Sequence, residues 1–592
     1  MAHRSRLTQY AVRFILALTI SLVLIEPFLA NAASIPDRRF GAVDTFDNPS
    51  AATALDAGWT RVRFPWATLQ PNNDGEWNNN FFTDDQLAAE LAAGREVVGL
   101  IVNTPQWALD KSNVPGVPSG LYLREDDPNN HWATFLRKIV SRYAGRIDHW
   151  IIWNEPDIWN PSYPGRTWGG SVKDFFQLQR VAYNVIKAAN PNAIIHLSAF
   201  TYYWDTNYGR TPFFKLLLDE MLKDKEAAAH NYYFDVASAN LYFQPDNVYD
   251  LIAWHHAQMI GHGFDKPLWL TETNAAPSRD AAWPVASPRF DITLDEQSNY
   301  IIQSFALALA AGAGRIAVYK LADVPGDHAA NPEPFGLVRE DGSHRPAFTA
   351  FQVAANYLAG FTSATLDQRG DYAQVTVKRG NAWTTVVWTR QPSPMTIAVP
   401  AHATQAILID VNGRKQSISA NNGQYTIALS GATCTGGCFI GGSPRLIVEG
   451  STGVSIAPPR PQTSTNPQAT PASPVTTMVS ATRNVTVTKS RPTATVTRTS
   501  TSTATSTATS TATATATLTA TPTATSTSTS TPMPQSVATD TPTATPVLPA
   551  AIADSPGGST AVLITLGVIL SALLIGYLAV RAKRSSSSGD NA

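Results

Sequence analysis

Residues 150–160, WIIWNEPDIWN, decide the fold. The run is short and very apolar, and it ends in an amide, a carboxyl and a proline, Asn154-Glu155-Pro156. It reads as a buried strand that delivers an acid at its C-terminal end. In a barrel of alternating strands and helices, that end is where the loops carrying the chemistry emerge.

Working outward from this run, short apolar segments of strand character alternate with helical stretches along the whole N-terminal half. They are RFGAVDTF (39–46), WTRVRFPW (59–66), REVVGLIVN (95–103), IDHWIIWNE (147–155), NAIIHLSAF (192–200), FDVASANLYF (234–243), KPLWLTET (266–273) and GRIAVYKLAD (314–323). Between them lie segments with helical spacing such as HWATFLRKIVSRYAG and DFFQLQRVAYNVIKAANPN, the second closed by Asn190-Pro191. Eight strands apolar on both faces, each followed by a helix, predict a (β/α)8 barrel over 34–360 rather than an open sheet. A doubly wound nucleotide-binding sheet would carry Gly-x-Gly-x-x-Gly after its first strand, and none stands there. Beyond Leu358 the pattern changes to alternation of period two, in YAQVTVKRG, AWTTVVWTR, MTIAVP, AILIDVNGR, GQYTIALSG and RLIVEG. These predict a small antiparallel β domain over 361–452, a sandwich packed on the barrel, with a free-standing carbohydrate-binding module as the alternative.

The ends of the chain predict its compartment. His3, Arg4, Arg6 and Arg13 precede the apolar run 14–25, and Ala30-Asn31-Ala32 has the small-x-small form of a signal-peptidase site, so 1–32 reads as a signal peptide, with an uncleaved membrane anchor as the alternative. From 455 to 556 the composition collapses into Thr, Ser, Ala and Pro, which cannot bury enough apolar area to offset chain entropy. That tract is expected to be a disordered, O-glycosylated stalk. A charge-free apolar segment at 560–580, followed by Arg581, Lys583 and Arg584, predicts a transmembrane helix with residues 581–592 as a cytoplasmic tail. The expected arrangement is a cell-membrane protein with its folded head outside the cell. The two cysteines, Cys434 and Cys438, favour one small disulfide loop over a zinc site, with two free thiols as the other reading. A net charge of −1 gives no bulk electrostatic reason to expect nucleic acid.

If Glu155 ends strand four, Glu272 in KPLWLTETN ends strand seven, and barrel closure can bring the two carboxyls together. Such a pair suits acid/base and nucleophilic work on a glycosidic bond. Pro156, Trp153 and Trp159 are expected to desolvate Glu155 and favour its neutral form, while a cation near Glu272 keeps that one ionised. Arg63 is the candidate cation, with Arg61 assigned to the opposite face of the strand. Trp66, Trp107 and Trp204 fall near predicted strand ends, where they either stack on sugar rings or pack the core. His255, His256 and His262 read as structural, so no metal site is expected.

These residues resemble the large clan of retaining (β/α)8 glycoside hydrolases, nearest to families 5 and 39. The match rests on Asn154-Glu155-Pro156 after strand four, on Glu272 at strand seven, and on FGLVREDGSHRPAFTAF as the closing loop and last helix, over residues 38–358. The resemblance implies Glu155 as acid/base, Glu272 as nucleophile and Asn154 as the partner of a sugar 2-hydroxyl. It also implies Arg63 and Tyr242 holding the nucleophile. Two positions depart from the clan's pattern. Asn240 stands where many members have a histidine, and Tyr319 and Lys320 stand where many have a tryptophan; both changes are expected to touch the sugar subsite rather than the catalytic pair. The implied activity is hydrolysis of a β-linked glycoside or polysaccharide by double displacement, without a cofactor. The rival class is a catalytically inactive cell-surface glycan-binding or envelope protein.

Overall fold

A computed structural model describes residues 37–450, apart from 111–113, 162–165, 289, 331–332 and 435–438. The expected signal peptide, stalk, transmembrane helix and cytoplasmic tail lie outside the described residues, as does Cys438. Cys434 is disulfide-bonded. Among the described residues no helix is long and apolar enough to cross a membrane.

Eight parallel strands close into a barrel in sequential order: β1 (Phe40–Val43), β2 (Trp59–Pro65), β3 (Glu96–Val102), β4 (His149–Ile152), β5 (Ile194–Phe200), β6 (Val236–Asn240), β7 (Leu268–Thr273) and β8 (Ala313–Val318). Each falls within or beside one of the eight predicted segments. Closure is made by β1 against β8, with Ala42 opposite Val318. The helices follow in turn: α1 (Pro49–Ala54), α2 (Asp84–Ala92), α3 (His131–Arg142), α4 (Val172–Ala189), α5 (Phe213–Met221), α6 (Pro245–Gly261), α7 (Leu294–Ala310) and α8 (Pro346–Leu358).

Local sequence sets the helix starts. Thr83 and Gln86 form a capping box on α2, Ser171 and Asp174 on α4, Thr293 and Glu296 on α7, and each satisfies two otherwise orphaned groups. The strands are buried throughout because one face meets the barrel interior and the other the helix ring. On β2 the parity is visible: Phe64 packs on Phe82 and Tyr143 at 5.8 and 5.1 Å on the helix side, so Arg61 and Arg63 point inward. The closing segment after β8 is pinned by the fully buried Arg345, which reaches Asp280 at 2.7 Å, Asp323 at 2.5 Å and the Gly336 carbonyl at 2.5 Å.

The β domain comprises β9 (Ser363–Arg369), β10 (Tyr372–Arg379), β11 (Ala382–Thr389), β12 (Met395–Pro400), β13 (Gln405–Asp410), β14 (Lys415–Ser419), β15 (Gln424–Leu429) and β16 (Arg445–Glu449). It forms a six-stranded sheet in the order β14-β13-β16-β11-β10-β9, faced by the two-stranded β12-β15. The six-stranded sheet is a middle layer. On β11 (Ala382–Thr389) and β16 (Arg445–Glu449), Val386, Leu446 and Val448 join the main core, while the alternating Val387 and Ile447 join a second core with Ile397, Val399, Tyr425 and Ile427. The barrel side is joined by Gln303 of α7, whose amide donates to the Gly442 carbonyl at 2.9 Å and accepts from the Gly441 N–H at 3.1 Å.

Candidate active site

Glu155 stands three residues past β4, on a backbone that leaves the extended region abruptly: Trp153 has φ 73° and Glu155 φ 48°. Such conformations cost a non-glycine residue on the order of 1–3 kcal/mol and persist where the surroundings over-determine them. Here the Trp153 N–H donates to Ile101 of β3 at 2.8 Å and the Glu155 N–H to Ala199 of β5 at 3.0 Å, so both neighbouring strands grip the turn. Glu272 lies within β7, with Asn240 of β6 as its register partner. Both glutamates are buried.

Asn240 reaches Glu155 from β6. Its Nδ2 donates to Glu155 Oε1 at 2.8 Å and more weakly to Asn154 Oδ1 at 3.4 Å, while its Oδ1 accepts from Thr271 Oγ1 at 2.9 Å. The position that departs from the clan's pattern therefore touches the Glu155 carboxyl directly, contrary to the expectation that it bears only on the sugar subsite. Burial, and then the charge of Glu272, push the Glu155 carboxyl up to about 8, with the Asn240 hydrogen bond acting in the other direction.

The cation on Glu272 is Arg61 rather than Arg63. Arg61 Nη1 is ion-paired with Glu272 Oε1, and the Tyr242 hydroxyl donates to Oε2. Residues two apart share a face of a strand, so Arg61 and Arg63 both enter the barrel and the assignment of Arg61 to the outside fails. Arg63, one inward position nearer the strand's C-terminal end, finds no hydrogen-bond acceptor for any of its three guanidinium nitrogens among the described residues. Tyr319 stands with its ring edge-on to Tyr242 at 6.3 Å, and the Glu272 charge, after burial, pushes its phenol upward. Lys320 is buried and ion-paired with Asp327.

The tryptophans divide differently. Trp107 is held by its own neighbours: its Nε1 donates to the Gln70 carbonyl at 2.8 Å and its ring packs edge-on to Trp66 at 6.0 Å. Trp159, expected to desolvate Glu155, packs instead on Trp204 and Tyr208 at 6.4 and 5.1 Å. His255 is buried with Nδ1 on the Leu251 carbonyl at 2.7 Å, and His262 pairs with Asp219 at 2.9 Å. Among the described residues no three potential ligands are grouped as a metal site.

Three supporting residues escaped the sequence reading. Thr271 orients Asn240. Asn274 is fully buried and donates to the Tyr319 and Phe335 carbonyls at 2.8 and 2.7 Å, fixing the end of β8 against β7. Asp157 accepts from the Thr201 N–H, the Thr201 hydroxyl and the Tyr202 N–H at 2.7, 2.8 and 3.0 Å, which ties the turn after β4 to the end of β5. Burial, then Asp205, push its carboxyl up to about 7. The only local signal for Asp157 was its place two residues after Glu155.

No protein-family model matches the chain, and no curated protein matches its sequence. Solved structures do match. A family 39 glycoside hydrolase from the gut symbiont Bacteroides cellulosilyticus WH2 is 17% identical with a TM-score of 0.52, over 70% of this chain and 82% of that one. A monomeric β-xylosidase from Caulobacter crescentus CB15 gives 15% and 0.47, over 70% and 97%. A family 30 endoxylanase from Clostridium papyrosolvens C71 gives 14% and 0.47, also over 70% and 97%. At these identities the likeness is one of architecture, carried by the first of them: the chain has the fold of a family 39 glycoside hydrolase.

Proposed function

We propose that the protein is a retaining glycoside hydrolase acting outside the cell on a β-linked glycoside or polysaccharide, tethered to the membrane by its C-terminal segment. The observation that carries the reading is the unequal pair of buried carboxyls at the C-terminal ends of β4 and β7. Glu272 has its charge met by Arg61 and its second oxygen held by Tyr242, whereas Glu155 is kept protonated by burial and by the Glu272 charge. One group is a poised nucleophile and the other an acid.

In the first step Glu272 attacks the anomeric carbon as the C–O bond to the leaving group breaks, and Glu155 gives its proton to the departing oxygen. In the second, Glu155, now a carboxylate, takes a proton from water as that water attacks the anomeric carbon and frees Glu272. Asn154 beside the acid is placed to hold the sugar 2-hydroxyl. The Ser/Thr-rich tract and the apolar segment at 560–580 support the tether, and the leader at 1–32 supports export.

The test is a screen of aryl β-glycosides and polysaccharides, followed by labelling with a 2-fluoroglycoside of the sugar that is turned over. Glu272 is expected to carry the label, and Glu272→Gln is expected to lose on the order of 10⁴-fold or more in kcat. Glycan binding without hydrolysis of any member of the panel would favour an inactive surface protein.

A further inference from the structure

The turn that carries Glu155 is held in a conformation that its own residues do not favour. Trp153 and Glu155 stand at positive φ without being glycine. Backbone bonds to Ile101 and Ala199, and a parallel bridge between Asn154 and Ala199, fix the entry of the turn. At its exit the grip passes to one side chain. Asp157 is buried, and its Oδ2 accepts the Thr201 N–H, the Thr201 hydroxyl and the Tyr202 N–H just beyond β5. Tyr202 is itself at φ 67°, so the carboxyl clamps two strained segments together.

Three donors converge on a single oxygen, while Oδ1 is buried and has no hydrogen-bond partner among the described residues. That arrangement suits a carboxylate, because the hydroxyl of a neutral acid would need an acceptor of its own and a neutral oxygen holds donors less firmly. Burial and the charge of Asp205 both oppose the ionised form, and hydrogen-bond donors rather than a cation hold it. An asparagine would tie the same two segments without a buried charge, so the charge calls for a use. Its place supplies one, two residues from the acid, where a negative charge opposes loss of the Glu155 proton. Glu155 also feels Glu272 of β7, Arg61 and Arg63 of β2 and Tyr242 beyond β6, and Asp205 is paired with Arg210.

We propose that Asp157 is a positioning residue for the acid, whose carboxylate locks the turn at 153–158 onto the segment after β5 and so presents Glu155 to the leaving-group oxygen. The proposal rests on the glycosidase reading for what Glu155 protonates, and it names what regulates that acid.

The full chain is assayed for kcat/KM, which reports the first step, on two aryl glycosides of one sugar. The leaving group of the dinitrophenyl glycoside departs without a proton, and that of the phenyl glycoside needs one. Asp157→Ala is expected to lose at least about tenfold more on the phenyl than on the dinitrophenyl glycoside, whereas a general loss of structure lowers both alike. Asp157→Asn keeps an oxygen for the three donors and removes the charge, so its alkaline limb is expected to move to lower pH. Should Asp157→Ala fail to fold, Thr201→Val removes one donor from the far side and is expected to show the same bias in smaller measure. Equal losses on both glycosides, or an alkaline limb that stays in place in Asp157→Asn, overturns the proposal. Hydrogen exchange of the peptide covering 153–158, read by mass spectrometry, needs no substrate. Loss of the clamp is expected to speed exchange there by about tenfold or more, and an unchanged rate overturns the lock. A chain that hydrolyses no glycoside while its turn still loosens sinks the glycosidase and leaves Asp157 its hold on the turn. Hydrolysis without the leaving-group bias sinks the role of Asp157 and leaves the glycosidase.

Discussion

The most informative single residue is Asn240, because it converts a substitution into a measurable property of the acid. Its amide donates to Glu155 and is held in that orientation by Thr271. A donor on a carboxylate stabilises the ionised form and lowers the pKa, so Asn240 works against the burial that raises Glu155 to about 8. Glu155 must be protonated for the first step, and activity is therefore expected to fall as pH rises through about 8. Asn240→Ala removes the donor, so the alkaline limb of kcat/KM is expected to move to higher pH, while the acidic limb stays in place. A shift toward lower pH would remove Asn240 from the control of Glu155. The carboxyls themselves were legible as residues because each ends an apolar strand, whereas Tyr242, which donates to Glu272, was reached through the family resemblance. Arg61 was not legible: Arg61 and Arg63 share a face, and which of them meets Glu272 depends on the stagger of strands far apart in sequence. The same holds for Thr271, Asn274 and Asp157, whose partners lie on other strands and leave no local periodicity.

At the scale of elements, all eight barrel strands were readable because burial on both faces leaves an unbroken apolar run. The β domain was read less fully. Six of its strands alternate clearly, but β9 (Ser363–Arg369) and β14 (Lys415–Ser419) are the two edges of the six-stranded sheet and are largely exposed, so their sequences SATLDQR and KQSIS carry little apolar signal. Edge strands are commonly polar for this reason, since an apolar edge invites pairing with another chain. The structure also explains why Gln303 sits inside the buried second half of α7. It is fully buried, and its side-chain amide pairs with the backbone of Gly441 and Gly442. Gln303→Leu keeps the volume roughly but leaves the buried Gly442 carbonyl without a partner, at about 1–3 kcal/mol, and the part-buried Gly441 N–H at less. Denaturant unfolding followed by tryptophan fluorescence is expected to show a midpoint lowered accordingly. A midpoint unchanged within error would mean that the two glycine groups find other partners.

At the scale of the whole molecule, the described residues build two cores that share the six-stranded sheet. The last strand, β16, is an interior strand of the six-stranded sheet between β13 and β11, and its side chains divide between the two cores. The Ser/Thr-rich tract that follows has too little apolar surface to add to either core. Its proposed role is reach: about 100 residues span roughly 50–60 Å as a flexible coil and up to about 300 Å as extended polyproline II, enough to present the barrel mouth to a polymer held away from the membrane. Folding and turnover should then be separable from location. A chain truncated after residue 452 is expected to be released into the medium with kcat/KM for a small aryl glycoside within about twofold of the full chain, since neither core loses an element. The full chain is expected to remain with the membrane fraction and to be extracted by detergent but not by high salt, as an apolar span rather than an ionic contact requires. Release of the full chain by salt alone, or loss of activity in the truncated head, would show that residues beyond 452 do something other than tether.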